Sequence, residues 1–95
     1  MAAGDTKQAL TSIAAGAFLD IKPASGDEYV IHNIHHEAGA ELYFSDGTNQ
    51  VKIATDSAEG SWLGLQIHVT NSIYLRVKNT DGAAKYLGYD GVETK

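Results

Sequence analysis

From Ala17 onward the chain alternates apolar and polar residues, and turn-forming residues break the alternation at short, even intervals. Such a pattern predicts half-buried strands joined by tight turns. The first is Ala17 to Lys22, closed by Pro23 and the turn Ala24-Ser25-Gly26-Asp27. Glu28 to His36 follows, with Val30, His32, Ile34 and His36 expected on one face and Tyr29, Ile31, Asn33 and His35 on the other. Ala40 to Ser45 leads through Asp46-Gly47-Thr48 into Asn49 to Thr55. Asp-Gly supplies the backbone angles of a tight hairpin, so these two segments should be direct partners. Ser61 to Thr70 alternates most regularly, with Leu63, Leu65, Ile67 and Val69 pointing one way and Trp62, Gly64, Gln66 and His68 the other. That continuous aliphatic row predicts a core strand whose Trp62 faces away from the core. Ile73 to Asn79 and Ala84 to Tyr89 complete the series, and Thr80-Asp81-Gly82 turns between them.

About seven strands at this spacing, with an eighth around Ala9 to Ile13, predict a single all-β domain: a small antiparallel, jelly-roll-like sandwich over residues 16–95. Met1 to Ala15 reads differently, being rich in Ala, Thr and Ser and lacking aromatics. We expect an N-terminal arm over residues 1–15 that docks on a neighbour. A helix over Asp5 to Ala14 is the alternative, weakened by Thr6, Thr11 and Ser12 and by its short length.

Composition narrows the function. With 95 residues there is one core, and twelve acidic against seven basic residues give a net charge of −5. A surface of that sign repels phosphate backbones, so nucleic acid is not an expected partner. Without cysteine there is neither a disulfide staple nor thiolate chemistry. The opening Met1-Ala2-Ala3-Gly4-Asp5 has no signal-peptide character and no apolar run is long enough to span a bilayer, so we expect a soluble product made in a cytoplasm, with no membrane partner.

Several segments carry a family resemblance. Ala14 to Ile34 reads as a small-residue lead-in, a strand, Ile21-Lys22-Pro23, a turn, Gly26-Asp27-Glu28, an aromatic and a second strand. Leu42 to Asn49, Tyr74 to Thr80 and Tyr86 to Val92 read as later hairpins and a closing strand. Together they resemble small β-sandwich virion structural proteins of tailed bacteriophages, a group that includes capsid decoration (cement) proteins and tail or collar components. The resemblance implies a structural protein of the virion, assembled in the host cytoplasm, that binds the major capsid protein or another virion protein. It also implies a multimer and supplies no catalytic residue. Small size and edge strands that need covering predict a homo-oligomer with closed symmetry, a trimer favoured. Capsid decoration is the leading expectation; a tail or collar adaptor, a receptor-binding tip and a carbohydrate-binding module are the alternatives.

The residues offer little chemistry against that expectation. His32, His35, His36 and His68 are the most suggestive set, yet a strand turns His35 away from His32 and His36, so no metal is expected. Gly60-Ser61-Trp62-Leu63-Gly64 misses nucleophile-elbow spacing and lies in a strand, so no enzyme is expected. Asp46-Gly47-Thr48-Asn49 lacks the carboxylate series of a calcium loop, and no glycine-rich phosphate loop or other cofactor motif is present. The candidates left are contact residues: Leu10 and Ile13 of the arm, Trp62 and Tyr74 as aromatic anchors, and His32 and His36 on one strand face.

Overall fold

The computed structural model describes residues 4–95. Its strands are β1 (Thr6–Ile13), β2 (Phe18–Ile21), β3 (Glu28–His36), β4 (Ala40–Ser45), β5 (Gln50–Asp56), β6 (Gly60–Trp62), β7 (Ile67–Thr70), β8 (Tyr74–Asn79) and β9 (Lys85–Glu93). Sheet I runs β1-β9-β3-β6, with β7 also on β3, and sheet II runs β2-β8-β4-β5. All pairings are antiparallel.

Both β6 and β7 lie against β3, as two pieces of one interrupted strand. Taken as one, they leave eight strands that pair first with last, second with seventh, third with sixth and fourth with fifth. The chain is therefore one long hairpin folded over itself into two sheets, which is a jelly roll. Its tip is the predicted Asp46 turn. There the Asp46 carboxylate accepts from the backbone N–H of Asn49 at 2.7 Å and of Thr48 at 2.9 Å. These bonds, Asn49 first, hold the carboxyl below its ordinary pKa.

The core between the sheets is aliphatic: Ile31, Ile34, Val69 and Leu87 from sheet I meet Ile21, Leu42, Leu75 and Val77 from sheet II. Buried Asn79 pins one end. Its amide donates to the carbonyls of Ile13 and Ala83, each at 2.9 Å, and its side-chain oxygen accepts from Asp81 N at 2.9 Å. At the other end the buried Glu93 carboxylate lies 3.2 Å from Lys7 Nζ, which ties β1 to β9.

Four expectations are corrected by this architecture. From Thr6 the expected arm is a sheet strand, with all of β1 in register with β9. Eight ladder pairs outweigh what a short isolated helix could gain, so the helix alternative over Asp5 to Ala14 gives way as well. Met1 to Ala3 of that arm lie outside the described residues. In β3, the register against β9 shifts between Ile31 and Asn33. A bulge at His32 therefore lets Ile31 and Ile34 both enter the core, which strict alternation forbids. Gly91 allows it, because a Cβ there would stand 2.2 Å from the Val30 carbonyl oxygen.

The third correction concerns Ser61 to Thr70. The strand breaks over residues 63–66, where Gly64 takes a φ of 71°. Side-chain parity reverses across the break. Trp62 packs on the core while Leu63, expected inside, is 70% exposed. Leu65, Ile67 and Val69 still face inward. Finally, Tyr74 is only 7% exposed: Lys22 Nζ stands 5.1 Å over its ring, and its hydroxyl lies beside Gly47.

Candidate interaction surfaces

The folded hairpin leaves an apolar strip uncovered on sheet II. Phe44 is paired with core Leu75 on one side and with Val51 on the other, so all three point to the core-facing side of sheet II. Leu75 is fully buried, but Phe44 is 39% and Val51 64% exposed, because sheet I does not cover this end of β5. Ile73, in the turn before β8, is 42% exposed and closes a groove of about 220 Å³ with Phe44, Val51 and the polar residues of the Asp46 turn. Ile53 is exposed nearby, where β5 bulges against β4 between Leu42 and Tyr43. As the last strand of sheet II, β5 also keeps a free edge.

At its other end β5 packs Ala54 on the core and makes a polar contact with sheet I. His36, its side chain fully buried, reaches across to Asp56 with Nε2 at 3.0 Å from Oδ2, while Nδ1 donates to the Ala38 carbonyl at 2.8 Å. The Trp62 ring lies against the imidazole at a centroid distance of 4.7 Å. The His36–Asp56 pair thus crosses between the sheets, with Trp62 of sheet I packed beside it. His32 sits apart at the bulge, half-buried, with its carbonyl accepting from Leu65 N at 2.7 Å. His35 points outward to Asp90 and Ser61, and His68 pairs with Glu28 at 2.8 Å. Among the described residues no three His, Asp or Glu side chains converge as metal ligands would.

On sheet I, Leu10 is 69% exposed on edge strand β1, and Tyr86 is half-exposed on the same face. Ile13, at the end of β1, packs instead on the core. The outer face of sheet II is charged and internally paired. Arg76 donates to Asp20 at 2.7 Å and stacks 4.0 Å from the Phe18 ring. Beside them the Tyr43 hydroxyl donates to Glu41, which also takes Lys52. That hydroxyl bond, more than the lysine, holds the Glu41 carboxyl low and raises the Tyr43 phenol.

Of the six residues singled out from the sequence, Leu10 alone is strongly exposed; His36 and Tyr74 are buried, and His32, Ile13 and Trp62 are partly so. The Phe44–Val51–Ile73 strip was missed. Its one signal in the sequence is apolar Val51 and Ile53 following the central turn of a jelly roll, since the strand after that turn always ends a sheet. No family model and no curated protein sequence matches the chain.

Proposed function

We propose that this chain is a structural subunit that binds other proteins, and that its place is the outer surface of a bacteriophage shell, as a decoration protein. The observation that carries the reading is the uncovered strip on β4 and β5 next to a free strand edge. Apolar side chains on the core-facing side of a sheet gain about 25 cal/mol per Å² when something covers them. A lone small domain has few other means of adding to its core. Self-association, with a trimer favoured, supplies such a cover, and closed symmetry keeps it finite. The placement on a virion rests on the sequence resemblance, because a jelly roll by itself hosts unrelated functions.

Copy counting tests the placement. Quantitative mass spectrometry of purified phage particles should find the chain in about hundreds of copies, as repeated shell symmetry demands. Roughly a dozen copies would move it to the tail or collar, and its absence from particles would end the virion reading. A carbohydrate-binding role needs an aromatic platform open to solvent. Phe44 and Tyr86 are the exposed large aromatics, and they belong to different sheets. Glycan-array binding that a Tyr86→Ala variant loses would favour that alternative.

A further inference from the structure

The outer face of sheet I brings together three side chains far apart in sequence. Ser61 on β6 is the direct cross-strand partner of His35 on β3, and Asp90 on β9 is the partner of Asn33, two residues away on the same face. Ser61 Oγ lies 2.8 Å from His35 Nδ1, and His35 Nε2 lies 3.0 Å from Asp90 Oδ2. The other carboxylate oxygen of Asp90 accepts from Asn33 Nδ2 at 2.8 Å, and Asn33 Oδ1 accepts from Gly64 N at 3.0 Å. The broken strand and the bulged strand are thus bolted to each other through the group that fixes Asp90.

The order of donors is set by what each atom can do. A carboxylate only accepts, so in the neutral imidazole the proton sits on Nε2, facing Asp90, and Nδ1 is left as the acceptor for the Ser61 hydroxyl. The His35 hydrogen bond, the largest cause, followed in the same direction by Asn33, holds the Asp90 carboxyl below its ordinary range, which keeps it ionised. Gly88, paired between Leu10 and His35, puts no side chain between them, and a groove of about 590 Å³ opens there along His35 and Asp90. Ser61 is exposed.

We propose that Ser61 is a selectively reactive nucleophile and a site of covalent acylation by activated carboxylic esters, with His35 as general base and Asp90 as the group that orients it. In the step, Ser61 Oγ bonds to the ester carbonyl carbon and its proton passes to His35 Nδ1. The carbon–oxygen bond to the leaving group then breaks, and the leaving oxygen departs with the electron pair, as a phenolate where the ester is a phenyl ester. His35 releases the proton to water. Gly64 N–H is already committed to Asn33, so it is not free to hold an oxyanion. Loss of such donors costs about 10²–10³ in rate. Acylation and deacylation both pass through an oxyanion and are both slowed, so the expected readout is one acyl group on Ser61 rather than rapid turnover. This inference does not depend on the assembly role.

The test is incubation of the full chain with p-nitrophenyl acetate, followed by intact-mass measurement and peptide mapping. One acetyl group should appear on Ser61, about 100-fold faster than on the exposed serines Ser57 and Ser72. Ser61→Ala should abolish that adduct, His35→Gln should lower its rate to the level of Ser57, and Asp90→Asn should lower it by about tenfold or more. Strand circular dichroism of each variant separates lost reactivity from lost fold. Acetylation confined to lysines and terminus, or a Ser61 rate unchanged by His35→Gln in a folded protein, overturns the proposal.

Discussion

The break at Gly64 makes Trp62 and Leu63 exchange the places that alternation assigns them, and mutating each in turn tests it. Trp62 rests on the core and on the buried His36 ring at 4.7 Å, whereas Leu63 is 70% exposed. Truncating a fully buried Trp to Ala costs about 3–5 kcal/mol. Trp62 is partly covered, so about 2–3 kcal/mol is the expected loss for Trp62→Ala. In a domain of this size each kcal/mol moves the melting temperature by about 4–8 °C, which makes the expected drop about 10–20 °C. Leu63→Asp should stay within about 0.5 kcal/mol of wild type, as surface substitutions do. Thermal melts followed by circular dichroism, with urea titrations for the free energies, measure both. A Leu63→Asp protein that unfolds, or a Trp62→Ala protein that melts like wild type, would refute the reversed parity.

Other outcomes follow from single contacts. Gly91→Ala should prevent folding or destabilise by at least about 3 kcal/mol, since its methyl meets the Val30 carbonyl, whereas Gly82→Ala has open space and should fold normally. Asn79→Ala leaves the Ile13 and Ala83 carbonyls and the Asp81 N–H without their partner, which should cost about 2–4 kcal/mol in urea titrations. Lys7→Ala should lower the melting temperature more than Lys95→Ala, because Glu93 is buried beneath Lys7 while Lys95 is 73% exposed. Asp46, Asp90 and Glu41 all have depressed carboxyl pKa values, so their contribution is present above the ordinary carboxylate pKa near 4 and lost as pH falls below it. The urea midpoint should therefore fall between about pH 5 and pH 2.5, and less steeply in Asp90→Asn.

Strand existence and turn placement were legible because β4 and β8 follow plain alternation and β3, β4 and β8 are bounded by glycine-, aspartate- or asparagine-bearing turns. The limits of β3 and β4 match those read from the sequence residue for residue. Faces were legible only as far as the first irregularity. A bulge adds one residue to a strand without changing its composition, so the shifts at His32 and beside Ile53 leave no mark in a period of two. The stretch over residues 63–66 hid a break because Leu63 and Leu65 continue the aliphatic row across a Gly64 that alone signals the turn. β1 was legible only as the eighth strand expected around Ala9 to Ile13, for a different reason. It is an edge strand whose Thr6, Gln8, Leu10 and Ser12 stay exposed, so its pairing rests on the backbone ladder with β9 rather than on an apolar face. The Ser61, His35 and Asp90 cluster depends on cross-strand register, which no spacing in the sequence encodes. Because β1 completes sheet I, a chain starting at Gly16 would lose an integral strand rather than a detachable arm.

The central claim is that the Phe44–Val51–Ile73 strip is covered by protein in the assembled state, and mass in solution tests it most directly. Light scattering and sedimentation velocity at micromolar to hundred-micromolar chain should give a closed assembly, three times the 10.1 kDa chain if the trimer holds. The double variant Val51→Asp/Ile73→Asp, altered at exposed positions only, should keep its strand spectrum and sediment as a single chain. A wild-type protein that remains 10.1 kDa throughout that range, or a folded double variant that assembles as wild type does, would contradict the account.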